Sequence, residues 1–238
     1  MKKLLFTATI LFFTSFVLAQ TNTIFFEQAN EFLQNNVDSD GKVHYARLKK
    51  SPGELYYILN NANDLKQIKS SRNEKIAFWI NVYNLTLIKN VIENYPLQSV
   101  SYIFDFYDKK FLIAGDNLSL NNIEEMVKEL TDDQGINFAL AKGTVGSPRL
   151  LNAAYLPETL DYQLSLQVKS EINKPGFVKL NKVAKTLEVN GIFSKYKSEF
   201  VTHYFTEIDF INVFLENKVD SKLQIQYQKM DYALNEKK

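Results

Sequence analysis

Between residues 71 and 96, apolar residues occupy nearly every side of a helical projection. Ser71 followed by Glu74 has the spacing of a capping box, in which the two side chains hydrogen-bond the first amides of a helix. Pro96 marks the other end of the pattern, because proline rarely continues a helix. A helix that is apolar all round is buried. The pattern therefore predicts a long, buried helix at the centre of the fold.

Two asparagines interrupt the apolar surface of this helix. Asn81 and Asn84 are three residues apart, so both side chains can point toward one region. Buried amides are normally hydrogen-bonded. They are therefore candidate binding residues that could orient a ligand or a catalytic base. The alternative is that they join the helix to the backbone of a loop.

Shorter elements are predicted on both sides of this helix. Apolar residues at helical spacing predict helices over residues 23–36, 53–68, 119–130, 157–172, 192–200 and 206–217. Aromatic and alternating stretches predict strands over residues 102–107, 111–114, 136–141, 177–189 and 223–227, with a hairpin from the first two and another within 177–189. Helices and strands occur in blocks rather than in strict alternation. The expected fold is α+β, with the central helix packed on a small, mostly antiparallel sheet.

Residues 1–19 have the features of a signal peptide. Lys2 and Lys3 precede the apolar run 4–18, and Ala19 is a small residue suited to signal cleavage. A membrane anchor is the alternative, but the run is shorter than the roughly 20 residues of a spanning helix, and Thr and Ser interrupt it. We therefore expect an exported protein, periplasmic or secreted, with no stable membrane span after cleavage.

Composition narrows the chemistry of the remaining chain. The full chain has 28 basic and 27 acidic residues, and without Lys2 and Lys3 its formal charge changes from +1 to −1, which argues against nucleic acid or an anionic membrane as the main partner. Cysteine is absent, so neither disulfides nor thiol chemistry is available, and His44 and His203 lack the spacing of metal ligands. No linker or repeat divides residues 20–238. We expect one domain without metal or cofactor, whose partner is a small molecule, a peptide or an envelope component.

A glycine-containing loop, KGTVGSPRL, covers residues 142–150 and follows the strand predicted at 136–141. Glycines allow backbone amides to approach a ligand or an oxyanion closely. Gly146 and Arg149 are therefore candidate binding residues. The loop has neither a Walker pattern nor a dinucleotide fingerprint, so a purely structural turn remains the alternative.

Five sequence blocks occur in the order found in one family. They are AFWINVYN (77–84), LSLNNIEE (118–125), INFALAKGTVGSPRL (136–150), AYLPETLDYQL (154–164) and MDYALN (230–235). In these blocks the chain resembles the domain of unknown function 547 family. The resemblance implies a hydrolase of the cysteine-peptidase type, with a distantly papain-like fold. Exported bacterial members have a His after the Ile-Glu pair and a Cys before the Pro of the loop, and a thiolate beside an imidazole is the usual arrangement for acyl transfer.

This chain departs from the family pattern at both of those positions. Glu125 stands in place of the His, and Ser147 stands in place of the Cys. A serine hydroxyl needs a strong base beside it, and a carboxylate is a poor one unless its pKa is raised. The departures predict a non-catalytic binding or scaffold protein that has lost the catalytic pair. The alternative is a serine-dependent acyl or peptide hydrolase in which Ser147 attacks and the Gly146 or Ser147 amide forms the oxyanion hole. Its base would be either Glu125 or a histidine that folding brings close.

Overall fold

The structure is a computed structural model that describes residues 23–62 and 71–238. The signal peptide predicted at residues 1–19 lies outside the described residues. The predicted α+β class is confirmed, since the described part of the chain forms ten α-helices and two small, mostly antiparallel sheets. In these residues no helix combines the length and the apolar character needed to cross a membrane.

The helices and strands alternate along the chain in blocks. The helices are α1 (23–36), α2 (Tyr45–Lys50), α3 (Gly53–Asn61), α4 (Arg72–Glu93), α5 (Leu120–Leu130), α6 (Ile136–Ala139), α7 (Leu160–Ile172), α8 (Ile192–Lys195), α9 (Lys197–His203) and α10 (Glu207–Phe214). The strands are β1 (Phe111–Ile113), β2 (Asp116–Leu118), β3 (Val178–Asn181), β4 (Thr186–Val189) and β5 (Gln224–Tyr227), and a 3-10 turn covers Val100–Tyr102. Predicted helices at 119–130, 157–172 and 206–217 correspond to α5, α7 and α10, the last two shorter than predicted.

Helix α4 is the centre of the fold, as predicted. The Ser71 hydroxyl accepts a hydrogen bond from the Glu74 amide, and the Glu74 carboxylate accepts one from the Ser71 amide, so the capping box is formed. Nearly every side chain from Ile76 to Ile92 is buried. Helices α2, α3 and α5 pack around it. The all-round burial explains why the sequence carries apolar residues on every face of this helix.

The two sheets are separate and short. Strands β1 and β2 form an antiparallel hairpin in which Phe111 pairs with Leu118. Strand β3 is antiparallel to β4, and β5 adds to the other edge of β4 in a parallel register, with Thr186 opposite Gln224. The hairpin predicted within 177–189 and the strand predicted at 223–227 are thus confirmed.

Two strand predictions are wrong. Residues 136–141 begin as the short helix α6 and continue as an extended segment, because a short, fully buried apolar run has the same pattern in a strand and in a helix. The Asp133 side chain accepts a hydrogen bond from the Gly135 amide and turns the chain into this helix. The hairpin predicted from 102–107 and 111–114 is instead β1 with β2, since Gly115 has a φ of 80° at the turn between them.

The buried apolar side chains form two clusters. The larger one surrounds α4, and the smaller one gathers aromatic residues of the C-terminal half around Phe138. The rings of Phe138, Phe193 and Phe210 contact one another with centroids about 6.1–6.2 Å apart. Tyr83 belongs to the first cluster and Tyr196 to the second, and the ammonium of Lys142 lies over both rings. Lys142 therefore occupies the junction of the two clusters.

The C-terminal residues return to the middle of the chain. The Asp231 and Ala233 carbonyls accept hydrogen bonds from the Gly146 and Val145 amides, at 2.8 Å each. The Asn235 carbonyl accepts one from Val43, at 2.9 Å. The tail thus joins the glycine-containing loop to the N-terminal part of the fold.

Candidate functional site

Ser147 lies in the predicted loop, but its hydroxyl is engaged with the loop itself. The hydroxyl donates to the Thr144 carbonyl at 2.8 Å and approaches the Pro148 carbonyl at 3.3 Å, and the side chain is buried. The Ser147 amide donates to the Thr144 carbonyl, and the Gly146 amide donates to the Asp231 carbonyl. Both amides of the predicted oxyanion hole therefore already have backbone acceptors.

Glu125 is exposed on α5. Within the described residues it makes no hydrogen bond with Ser147, whose hydroxyl donates only to backbone carbonyls. A hydroxyl is activated by a base that accepts its proton, and a backbone carbonyl cannot take that role. The structure thus leaves the two residues of the predicted catalytic pair with separate surroundings.

Asn81 and Asn84 each hold a length of backbone against α4. The Asn81 amide group donates to the Tyr155 carbonyl at 2.8 Å and accepts from the Tyr155 amide at 2.9 Å. Asn84 donates to the Ala139 carbonyl at 2.9 Å and accepts from the Ala141 amide at 3.1 Å. The prediction that these side chains join the helix to loop backbone is confirmed.

Arg149 fixes the end of the loop to α7. Its guanidinium donates to the Ser170 hydroxyl at 2.7 Å and lies 3.4 Å from the carboxylate of the buried Glu171. It also donates to the Ser39 carbonyl at 3.3 Å. The candidate site residues are therefore distributed over several environments rather than gathered around one cavity.

A buried ion pair that the sequence analysis did not identify lies next to the loop. The Lys142 ammonium, whose side chain is 5% exposed, donates to Glu124 at 2.7 Å and to the Tyr83 hydroxyl at 3.0 Å. Glu124 and Lys128 are one turn apart on α5, and they form a second ion pair at 2.9 Å. Lys128 continues the network to Glu199 on α9, at 2.7 Å. The network joins α4, α5, α9 and the loop.

Two features of the sequence could have revealed this network. Lys142 directly follows the apolar run 136–141, and a lysine that continues a buried segment requires a charged partner. Glu124 precedes Lys128 by four residues, which is the favourable spacing for an ion pair on a helix. The family resemblance drew attention to Glu125 instead, and neighbouring positions on a helix point in directions about 100° apart.

Burial and charge shift the pKa values of the network in opposite senses. Burial would raise the pKa of Glu124, but the charges of Lys142 and Lys128 and their hydrogen bonds hold it below its ordinary value. Burial lowers the pKa of Lys142, and the Glu124 carboxylate opposes that shift. Burial, followed by the negative charge of Glu124, raises the pKa of Tyr83. The stable arrangement is thus a charged Lys142–Glu124 pair beside a neutral phenol.

A cleft of about 750 Å³ opens beside Lys142. Residues of α8, of the loop 142–150, and of β5 with the segment after it line the cleft. The side chains that face the cleft include Tyr107, Thr144, Lys195, Tyr227, Met230 and Tyr232. Neither Glu125 nor Ser147 lines it. The cleft therefore combines aromatic walls with basic side chains.

Lys195 brings an uncompensated positive charge to this cleft. Its ammonium lies 5.1 Å from the ring centre of Tyr196 and 5.7 Å from that of Tyr107, and it forms no ion pair with a described carboxylate. Burial of the ammonium, and then the charge of Lys142, lower its pKa to about 8. Lys195 as a whole residue is exposed, so a ligand can reach it.

Thr144 brings a free hydroxyl to the same cleft. The residue is 4% exposed, and its Oγ has no hydrogen-bond partner among the described residues. Buried hydroxyls are normally hydrogen-bonded. Among the described residues, the cleft thus offers one unpaired hydroxyl and two ammonium groups without an ion pair, those of Lys195 and Lys229. In residues 23–62 and 71–238, no group of three or more His, Cys, Asp and Glu side chains is placed to hold a metal ion.

Comparison with known proteins gives one match. Residues 67–170 match the family model described as "Protein of unknown function, DUF547", whereas no curated protein and no solved structure matches the chain. The matched region supplies Lys142, Glu124 and Thr144, while Lys195 and the tail residues of the cleft lie beyond it. The predicted resemblance is confirmed over this range: residues 67–170 are similar to the DUF547 family.

Proposed function

We propose that this is an exported, non-catalytic binding protein of the DUF547 family whose ligand occupies the cleft beside Lys142. Export is proposed from the leader, in which Lys2 and Lys3 precede an apolar run. Binding is proposed from the cleft, whose volume of about 750 Å³ lies in the range of small-molecule sites.

One observation carries the binding proposal: two polar groups of the cleft lack partners among the described residues, while the hydroxyl and the amide on which catalysis at Ser147 would depend are already bonded. Lys195 and Thr144 offer a cation and a hydroxyl without partners among the described residues. The Ser147 hydroxyl and the Gly146 amide are bonded to backbone carbonyls. A ligand can therefore form new hydrogen bonds in the cleft without breaking existing ones, whereas catalysis at Ser147 would require the loop to rearrange.

Binding is tested by blocking the cleft. Ser194 is exposed on α8 and lines the cleft, so Ser194→Trp places an indole in it. Ser198→Trp makes the same change at an exposed position of α9 outside the cleft and is the matched control. A fragment library is screened by ligand-observed NMR against the chain without residues 1–19. We expect one-to-one binders whose affinity falls at least about tenfold in Ser194→Trp, which removes the contact area, and stays unchanged in Ser198→Trp.

Two results would overturn the binding proposal. One is a screen in which no fragment binds more weakly to Ser194→Trp than to the wild-type chain. The other is turnover: a serine-dependent hydrolase would be labelled at Ser147 by a fluorophosphonate probe, and its esterase or peptidase activity would be lost in Ser147→Ala. We expect no labelling, because the Ser147 hydroxyl donates to a carbonyl rather than to a base.

Export has its own test. The full chain, expressed in a bacterium with two membranes, is fractionated, and the N-terminus of the recovered protein is sequenced. We expect a mature protein that begins at Gln20 in the periplasm or the medium, because signal peptidase cleaves after a small residue such as Ala19. Retention of residues 1–19 on a cytoplasmic protein would contradict export and would leave the binding proposal unaffected.

A further inference from the structure

We infer that the cleft binds its ligand through an anionic group, a carboxylate or a phosphate, which pairs with Lys195 and accepts a hydrogen bond from Thr144, while an apolar or aromatic part of the ligand lies against the tyrosine walls. This inference rests on the binding function proposed above and names the chemical class of the ligand.

The charge balance of the ion-pair network beside the cleft supports an anion. Three ammonium groups, those of Lys128, Lys142 and Lys195, surround two carboxylates, those of Glu124 and Glu199. The first two lysines are paired with these carboxylates, so Lys195 is left without an ion pair, and Lys229, which also lines the cleft, has none among the described residues. Because Lys195 is exposed, a ligand can reach its ammonium, and an opposite charge close to that ammonium is favourable. An anionic ligand would supply the charge that the described residues do not.

Thr144 supplies an independent observation. Its side chain is buried, lines the same cleft, and has an Oγ without a partner among residues 23–62 and 71–238. An oxygen of a carboxylate or phosphate would accept the hydroxyl proton, and hydrogen bonds to a charged acceptor are stronger than those between neutral groups. The site thus has two donors that suit an anion.

The aromatic walls indicate what the rest of the ligand is like. The Tyr107 hydroxyl donates to the Lys142 carbonyl at 2.7 Å, and the Tyr227 hydroxyl donates to Glu207 at 2.5 Å. With their hydroxyls engaged, these residues offer ring surface to the cleft. Met230 adds a flexible apolar side chain beside them. An aromatic or aliphatic group would bury this surface more favourably than a strongly polar one.

If the ligand is an anion, its affinity depends on whether the Lys195 ammonium is protonated. Burial, followed by the charge of Lys142, lowers its pKa to about 8 in the free cleft. The other groups that face it are Glu124, Lys128, Glu199, Tyr107 and Tyr196, and Lys229 lines the same cleft. A bound anion favours the protonated form and so raises the pKa of Lys195. Affinity should therefore be constant below about pH 8 and should fall as the pH rises above it.

The experiment compares three ligands of similar size: phenylacetate, phenyl phosphate and the neutral phenylacetamide. Their dissociation constants are measured by ligand-observed NMR at pH 7 with the chain that lacks residues 1–19. We expect at least one anion to bind about tenfold more tightly than the amide, and the stronger anion identifies carboxylate or phosphate as the group. Its affinity should fall about tenfold in Lys195→Gln and several-fold in Thr144→Val.

The control is Lys182→Gln, which removes an exposed positive charge from the turn between β3 and β4, outside the cleft. We expect it to leave anion binding unchanged. Circular dichroism and the melting temperature verify folding, and Thr144→Val provides a second variant that removes no charge. Between pH 7 and 9.5 the wild-type affinity for the stronger anion should fall, whereas the affinity of Lys195→Gln should stay constant.

The inference fails if both anions bind no better than the amide, if Lys195→Gln and Lys182→Gln have equal effects, or if affinity is independent of pH. That failure is distinguishable from failure of the binding function. If neutral fragments bind more weakly to Ser194→Trp but equally well to Lys195→Gln, the binding function stands and only the anionic ligand is ruled out. A cleft that binds no fragment at all would remove both.

Discussion

Glu124 and Glu125 are adjacent in sequence, yet α5 gives them opposite surroundings. Glu124 faces the loop, where its side chain is 12% exposed and accepts hydrogen bonds from Lys142 and Lys128. Glu125 is exposed. The difference follows from the turn of about 100° between successive helical residues. The buried ion pairs are therefore made by Glu124, whereas the family pattern singles out its neighbour Glu125.

We predict that Glu124→Gln lowers the free energy of unfolding by about 3 kcal/mol, because Lys142 stays buried without a charged partner. Glu125→Gln makes the same chemical change at the exposed neighbour and should change that free energy by less than about 0.5 kcal/mol. Urea unfolding followed by circular dichroism measures both. Equal effects of the two variants would contradict the assignment. Adding Lys142→Met to Glu124→Gln should recover part of the loss, since the unpaired charge is then removed.

A second prediction for Glu124 concerns how the free energy of unfolding depends on pH. The pKa of Glu124 is lower in the folded protein than its ordinary value of 4.5, because Lys142 and Lys128 outweigh the effect of burial. The unfolded chain therefore takes up a proton first as the pH falls, and the stabilisation by Glu124 is present above about pH 4.5 and declines below it. Repeating the unfolding experiment from pH 7 to pH 3 should show the difference between wild type and Glu124→Gln becoming smaller.

At the scale of single elements, two asparagines of α4 hold neighbouring backbone against it, Asn81 at Tyr155 and Asn84 at residues 139–141. We predict that Asn84→Leu lowers the free energy of unfolding by about 2–3 kcal/mol, because the Ala139 carbonyl and the Ala141 amide each lose a buried partner. Asn60→Leu on α3 is the matched control at an exposed position, and it should have little effect. Thermal melting of both variants measures this. An unchanged melting temperature in Asn84→Leu would contradict the attachment role.

The elements also show how far sequence reasoning extends. The capping box of Ser71 and the cap of α10 at Thr206 were predictable, because each depends on residues three positions apart. The segment 136–141 was not, because a short buried run fits a strand and a helix equally well. What decides its conformation is a contact with Asn84, more than fifty residues earlier in the chain. Local patterns do not contain that contact.

The same limit applies to the candidate site of the whole molecule. The loop 142–150 was recognisable from its glycines and from the family resemblance, but the cleft beside it depends on Lys195 and on the tail. These parts come into contact because the two apolar clusters pack together, and no local spacing in the sequence indicates that contact. Gly146 illustrates the point. It was predicted as an oxyanion donor, and the structure places it where the tail crosses the loop.

A last prediction concerns this crossing. A Cβ at Gly146 would lie 2.4 Å from the amide nitrogen of Asp231, and backbone cannot yield as a side-chain end can. Gly146→Ala should therefore displace the tail and lower the free energy of unfolding by about 1–3 kcal/mol. Met230 and Tyr232 flank Asp231 and line the cleft, so fragment binding should weaken as well. Gly53→Ala is the control, because nothing lies within 4 Å of its added Cβ. A Gly146→Ala protein with unchanged stability and binding would mean that the tail does not shape the cleft.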